Sequence, residues 1–230
     1  MPATFTTELL QPSLLDGVTM LLAGPAEDAP PAAGANSIAA AIHRACAGLG
    51  ADVRACPLPR HGSEEDIEHT VDRALGPDDS VELLAVDCAG LFIGEASGDG
   101  HPERDARTAL IACLEATWNV TRALANRSFL PAQRGGRIVY IAPAPSAGVH
   151  ADAARAGLEN LARTLSIEWA RQRVTAVAIA PGDHTPADHL AALTAYLASP
   201  AGAYFSGCLL DLRGPGGGGA GRDTPLAAAV

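Results

Sequence analysis

The chain has no lysine; all 16 of its basic residues are arginines. A coding bias toward arginine and alanine is the simplest cause, and the chemical consequence holds whatever the cause. Schiff-base catalysis, pyridoxal attachment and a lysine general base are excluded for this polypeptide. Positive charge is scarce as well: 26 acidic residues give a formal net charge of −10. That balance argues against a nucleic-acid partner and against an anionic membrane, since phosphate contacts need clustered cations. Cysteines number five (Cys46, Cys56, Cys88, Cys113, Cys208) and form no C-x-x-C pair. Neither a zinc site nor a disulfide framework is indicated, and buried thiols in a reducing cytosol are expected. No apolar run approaches the ~20 residues of a membrane span. The N-terminus lacks a basic region followed by an apolar stretch, so no signal peptide and a cytoplasmic location are expected.

What is present is an alternation. Short aliphatic runs at Val18–Ala23, Asp52–Cys56, Val81–Val86, Arg137–Ala142, Arg173–Ala180 and Cys208–Leu212 read as buried strands. Between them, Ser37–Leu49, Glu64–Leu75, Pro102–Arg127, Ala151–Gln172 and Pro186–Ala198 read as helices. Near-continuous apolar strands alternating with helices predict an α/β fold, a doubly wound parallel sheet covered on both faces. At 230 residues the chain suits a single domain, burying roughly 70–75% of its unfolded surface without disulfides or metals. Residues 1–13 read as an N-terminal extension, 14–214 as the domain, and 215–230 as a Gly-rich disordered tail. Glu27–Gly34, rich in proline and small residues, reads as a loop.

Several stretches carry a more specific signal. They are LLDGVTMLLAG (Leu14–Gly24), LLAVDCAG (Leu83–Gly90), GGRIVYIAP (Gly135–Pro143) and ARAGLENLARTLSIEWARQRVTAVAIAPG (Ala154–Gly182). Together with Leu193–Gly214 they resemble the short-chain dehydrogenase/reductase family over most of residues 14–214. The resemblance implies a Rossmann-like sheet with a first strand entering a glycine-rich turn. It also implies a strand ending in N-N-A-G, a strand ending at a catalytic serine, and a long active-site helix followed by a P-G turn.

The resemblance also implies where catalytic groups belong, and this sequence departs from the pattern there. The family's Tyr, four residues before a Lys, exchanges a proton with the substrate oxygen, while the Lys lowers the Tyr pKa and holds the nicotinamide ribose. Here Ala151 falls at the Tyr position and Arg155 at the Lys position. Arginine can mimic the charge, but alanine transfers no proton. Pro143 corresponds to the serine, with Ser146 nearby in a shortened loop, and Cys113 corresponds to the relay Asn. His150 adjoins the vacant Tyr position; a residue one place along a helix is turned by about 100°, so a solvent-exposed helix start is the simpler reading.

For the cofactor the resemblance leaves vestigial positions only: Gly24, Ser37, Gly90, Pro181 and Gly182. Ser37 and Ala39 stand where helix-start glycines belong, and GANSIAAAI (Gly34–Ile42) is similar to the enoyl-reductase variant of that turn. Weak phosphate binding and an ordinary N-cap at Asn36 or Ser37 are both open. The β2–β3 region is short by about one strand–helix unit, and Pro57 stands where an adenosine-ribose carboxylate would be. A second shortening follows Pro181–Thr185, where Asp183, His184 and His189 cluster without further ligands, so no metal is expected.

These departures imply no cofactor of its own, with NAD(P) as the alternative. The helices 102–127 and 151–172, which build subunit contacts in the family, keep apolar stripes: Leu110, Leu114 and Trp118, and Leu158, Leu161 and Leu165. Two readings follow. One is a structural or regulatory subunit in a homo-oligomer, or in a hetero-oligomer with an active family member through those helices. The other is an NAD(P)-dependent oxidoreductase with a rearranged site built from Arg155, His150 or Ser146. A ligand-sensing role for a groove near Gly24 and Gly90 has no positive support in the sequence, and the simplest reading of the stripes is that they cover the sheet.

Overall fold

The strands are apolar on both sides because both sides are covered. In the computed structural model of the chain, β1 (Thr19–Pro25), β2 (Asp52–Leu58), β3 (Leu83–Val86), β4 (Gly136–Ile141), β5 (Val174–Ala180) and β6 (Cys208–Asp211) form one sheet. All neighbouring pairs are parallel and the order is β2-β1-β3-β4-β5-β6. The structure describes residues 10–26, 37–59, 61–77, 79–96, 102–132 and 135–213. The expected loop Glu27–Gly34, the tail 215–230 and residues 1–9 of the expected extension lie outside the described residues.

Side chains alternate between two apolar layers, as the period of a strand requires. Leu21, Leu84, Ile138 and Ala176 face α2 (Glu64–Ala74), α3 (Cys88–Ala96), α4 (Pro102–Leu124) and α5 (Ala151–Glu168). Met20, Leu83, Val139 and Val177 face α1 (Ile38–Gly48) and α6 (Ala187–Ala198). Helix starts follow local chemistry. Ser37 caps α1 by accepting from the Ala40 amide, and Ser63 and Asp66 close a capping box on α2. Leu10 and Leu14 pack on the α1–α6 layer, so the domain reaches into the expected extension.

The shortened β2–β3 region is real in three dimensions. A single strand, β2, forms the sheet edge beyond β1, and one helix, α2, leads from it to β3 on the far side of β1. The strand order therefore reverses between β1 and β3. Three other expectations change. The stretch Cys88–Ala96 is a helix that strand periodicity did not reveal, and the helix from Pro102 runs past Arg127 through a π-helical turn, Ala125–Phe129, to Ala132. Arg173, expected to open β5, sits before it with φ of 59°, closing the turn from α5.

Candidate functional site

Chemistry-bearing residues gather at the carboxyl ends of the strands, where a parallel sheet opens its crevices. At β4 and β5 the centre is Arg155, which projects from the first turns of α5 and is 4% exposed. Its Nη1 donates to the Pro143 carbonyl at 3.1 Å and to the Pro181 carbonyl at 2.8 Å. Both acceptors belong to buried prolines just past the ends of β4 and β5. Asp152 and Asp211 lie 3.8 and 3.9 Å from the guanidinium, and Nη2 is buried without a hydrogen bond. Burial, and the second cation Arg213, pull the Arg155 pKa below the ordinary guanidinium value.

The other three positions at which the resemblance places catalytic groups are filled by packing. Ala151 is fully buried at the start of α5. Pro143 contributes its carbonyl to Arg155. Cys113 is buried on α4, and its thiol donates to the Cys88 carbonyl at 3.3 Å. Below it the hydroxyls of Thr117 and Thr121 bond back to the carbonyls four residues earlier, and Thr121 meets the Tyr140 hydroxyl at 3.0 Å. Burial raises the Cys88 thiol and the Tyr140 phenol well above their ordinary values, so neither is an accessible acid or base. His150 is the residue preceding α5 and its side chain caps nothing.

Beyond β5 the P-G turn shapes a cleft of about 750 Å³, whose lining includes Gly182, Asp183, His184, His189, Leu212 and Arg213. Gly182 donates to the Thr185 hydroxyl, and the Ser146 amide donates to Asp183 at 2.8 Å. The Ser146 amide and hydroxyl hold the Asp183 carboxyl below the usual carboxylate range. Arg213 grips Asp211 through a bidentate fork, which brings the Asp211 carboxyl down to about 2. Asp183, His184 and His189 thus share one cleft; among the described residues no three His, Cys, Asp or Glu side chains converge closely enough to hold a metal. No helix among the described residues is long and apolar enough to cross a membrane.

The residue sequence reasoning missed is Asp87, at the end of β3. Its carboxylate accepts from the Gly90 amide at 2.8 Å, so the side chain caps the first turn of α3. It is 4% exposed. Burial pushes its carboxyl up to about 6 against the pull of the Gly90 and Ala39 amides. The sequence did carry a signal: Asp87 stands where the resemblance has the first Asn of N-N-A-G. Two of the expected cofactor glycines surround it. A Cβ on Gly90 would lie 2.8 Å from Asp87 Oδ2 and 3.0 Å from Pro25, and one on Gly24 would lie 3.4 Å from Asp87 Cβ. Ser37, the third expected position, works as the N-cap of α1.

The apolar stripes divide between core and surface. Leu158 and Leu165 are buried under the sheet, while Leu110, Leu114 and Leu161 are partly buried against the same core. Trp118 (41%) and Ile111 (43%), two turns apart on α4, are left exposed. Ile111 also lines a smaller pocket, of about 300 Å³, between α4 and the ends of β1 and β2.

No protein-family model matches the chain. It is 30% identical over 153 residues to the peroxisomal 2,4-dienoyl-CoA reductase [(3E)-enoyl-CoA-producing] of Pongo abelii, covering 64% of this chain and 48% of that one. The chain thus spans about half the length of the curated relatives it matches. Among solved structures it is similar to a hydroxysteroid dehydrogenase from Escherichia coli, with a TM-score of 0.64 and 20% identity over 90% of this chain and 99% of that one. A short-chain dehydrogenase/reductase from Serratia marcescens gives 0.64 and 17%, over 86% and 97%. BdcA in complex with NADPH gives 0.59 and 20%, over 86% and 94%. The chain has the Rossmann-like fold of these dehydrogenases: one α/β domain with a six-stranded parallel sheet.

Proposed function

We propose that the chain is a short-chain dehydrogenase/reductase homologue that performs no hydride transfer of its own and acts as a structural or regulatory subunit beside an active family member. Membership is supported by the dehydrogenase fold together with the likeness to a dienoyl-CoA reductase. The observation that carries the finer reading is the state of Arg155. The one cation at the family's Lys position is buried and hydrogen-bonded to two strand-end carbonyls, and the neighbouring Tyr position is a fully buried alanine. A proton relay needs a titrating group within hydrogen-bond reach of the substrate oxygen, and these positions supply none. Assembly is supported by Ile111 and Trp118, exposed on the outer face of α4 in the region the resemblance assigns to subunit contacts.

Two measurements test this. Purified chain titrated with NADH and NADPH to millimolar concentration is expected to show no binding by calorimetry. Co-expression with active family members from the same cell is expected to give a stable complex that Ile111→Glu with Trp118→Glu disrupts. A strictly monomeric chain with no such partner removes the assembly reading.

A second reading is favoured by a specific observation. The cleft of about 750 Å³ beside the P-G turn is large enough for an organic substrate, and the relatives with this fold include a structure solved with NADPH. On that reading the chain is an NAD(P)-dependent oxidoreductase with a rearranged site that uses Arg155, His150 or Ser146. Micromolar NAD(P)H binding with turnover would establish it in place of the first.

A further inference from the structure

Beyond the ends of β5 and β6 one carboxylate stands between two guanidiniums. Arg213 holds Asp211 in a fork, Nε to Oδ1 at 2.9 Å and Nη2 to Oδ2 at 2.6 Å. Arg155 Nη2 lies 3.9 Å from Asp211 Oδ1, beyond hydrogen-bond reach, and is buried with no hydrogen-bond partner. A buried donor left unpaired costs more than a partly exposed ion pair between near neighbours contributes. The observed pairing thus leaves the costlier group unsatisfied. The two cations also differ in access. Arg155 is 4% exposed, whereas the Arg213 side chain is 31% exposed and lines the cleft of about 750 Å³. A solute entering that cleft meets Arg213 and not Arg155.

We propose that this cleft binds a small organic carboxylate, which takes Arg213 from Asp211 and releases Asp211 to Arg155. Asp211 is then a stand-in for the ligand, holding the guanidinium fork in the geometry that a second carboxylate would use. A movement of about 1 Å brings Asp211 within hydrogen-bond reach of Arg155 Nη2, so the exchange leaves no charge unpaired. The rest of the lining suits an anion with an apolar body. His184 and His189 supply imidazole donors and Leu193 and Leu212 supply apolar wall, while the lining carboxylate, Asp183, accepts from the Ser146 amide. The segment that carries Arg213 is tied to the sheet, since the Leu212 amide donates to the Ala180 carbonyl at 2.8 Å. The inference goes beyond both readings above, because it requires neither a dinucleotide nor hydride transfer.

The test is calorimetric titration of the full chain at pH 7 with hexanoate and benzoate, and with hexanamide and benzamide as neutral controls of the same shape. At least one acid is expected to bind at millimolar concentration, with its amide weaker by roughly tenfold. Arg213→Gln removes the receptor and is expected to weaken acid binding by roughly tenfold. Asp211→Asn removes the internal competitor and is expected to tighten it by about threefold or more. Asp72→Asn removes the same charge from α2, away from the cleft, and is expected to change nothing. Circular dichroism checks that each variant is folded. Three results overturn the inference: no acid binding at millimolar concentration, acids that bind no better than their amides, or an Asp211→Asn chain that binds them no tighter than Asp72→Asn does. None of the three touches the subunit reading or the oxidoreductase reading, which rest on partner and dinucleotide binding.

Discussion

Asp87 and Arg155 are mirror images at the two halves of the sheet's carboxyl edge. One is a buried carboxylate at the end of β3 held by the Gly90 amide of α3; the other is a buried guanidinium held by backbone carbonyls just past the ends of β4 and β5. A buried charge is tolerated only when polar groups replace its water. Here the backbone does so at both places, using groups that strand ends and helix starts leave unpaired. The two differ in completeness. Arg155 also has acidic neighbours at ion-pair distance but keeps one nitrogen unbonded, whereas burial alone raises the Asp87 pKa, against the opposing pull of the amides. The comparison teaches that buried charges of either sign can sit at the carboxyl edge of the sheet once backbone groups take the place of water.

The largest effect is expected where the mirror is broken on the cationic side. Arg155→Met leaves the Pro143 and Pro181 carbonyls buried without donors, and should cost about 4 kcal/mol in a urea melt. Arg155→Lys should recover less than half of that, because a point ammonium cannot replace the guanidinium fork.

On the acidic side the effect depends on pH. The Asp87 carboxyl is raised from 3.8 to about 6, so the protonated form is the one the fold favours. Its contribution to stability is present in full below about pH 4 and is lost as pH rises through 6, by an amount on the order of 3 kcal/mol. Asp87→Asn should remove that slope from a plot of unfolding free energy against pH. The Asp211 carboxyl is lowered to about 2, so its opposite contribution is present above pH 4 and is lost as pH falls toward 2, outside the Asp87 window. A slope that survives in Asp87→Asn would place the titration elsewhere.

Gly90→Ala should cost about 2 kcal/mol through overpacking against Asp87 and Pro25. If the carboxylate is the obstacle, the double variant with Asp87→Ala should lose less than the sum of the two single losses. The smallest effect is expected at the cap of α1. Ser37→Ala should cost about 1 kcal/mol in thermal unfolding, the ordinary value for a lost N-cap bond.

Much of the fold was legible because its signals are local. Strand cores such as Leu83–Val86 and Val174–Ala180 are continuous apolar runs, and α5 shows its buried stripe in Leu158, Ala162 and Leu165. The helix Cys88–Ala96 was not legible, since it follows β3 after one residue and its apolar side chains lack a clear polar face. Cys113, Pro143, Ala151 and Arg155 were singled out by position, and the structure gathers Pro143 and Arg155 into one hydrogen-bonded group while setting Cys113 apart on α4 with Cys88. The split of the expected interface stripes was also out of reach: spacing alone does not say whether Leu114 or Ile111 meets the sheet.

By itself the sequence determined the alternation that builds a parallel sheet, and it determined that no lysine stands anywhere in the chain. Those are facts of composition and period, and no folding can change them. Only the tertiary structure decided what the remaining charges do. Arg155 lies 12 residues beyond Pro143 in the chain and 26 residues before Pro181, and it bonds to both. The parallel order brings those strand ends and helix starts side by side, and burial there makes backbone amides and carbonyls the partners that water would otherwise be.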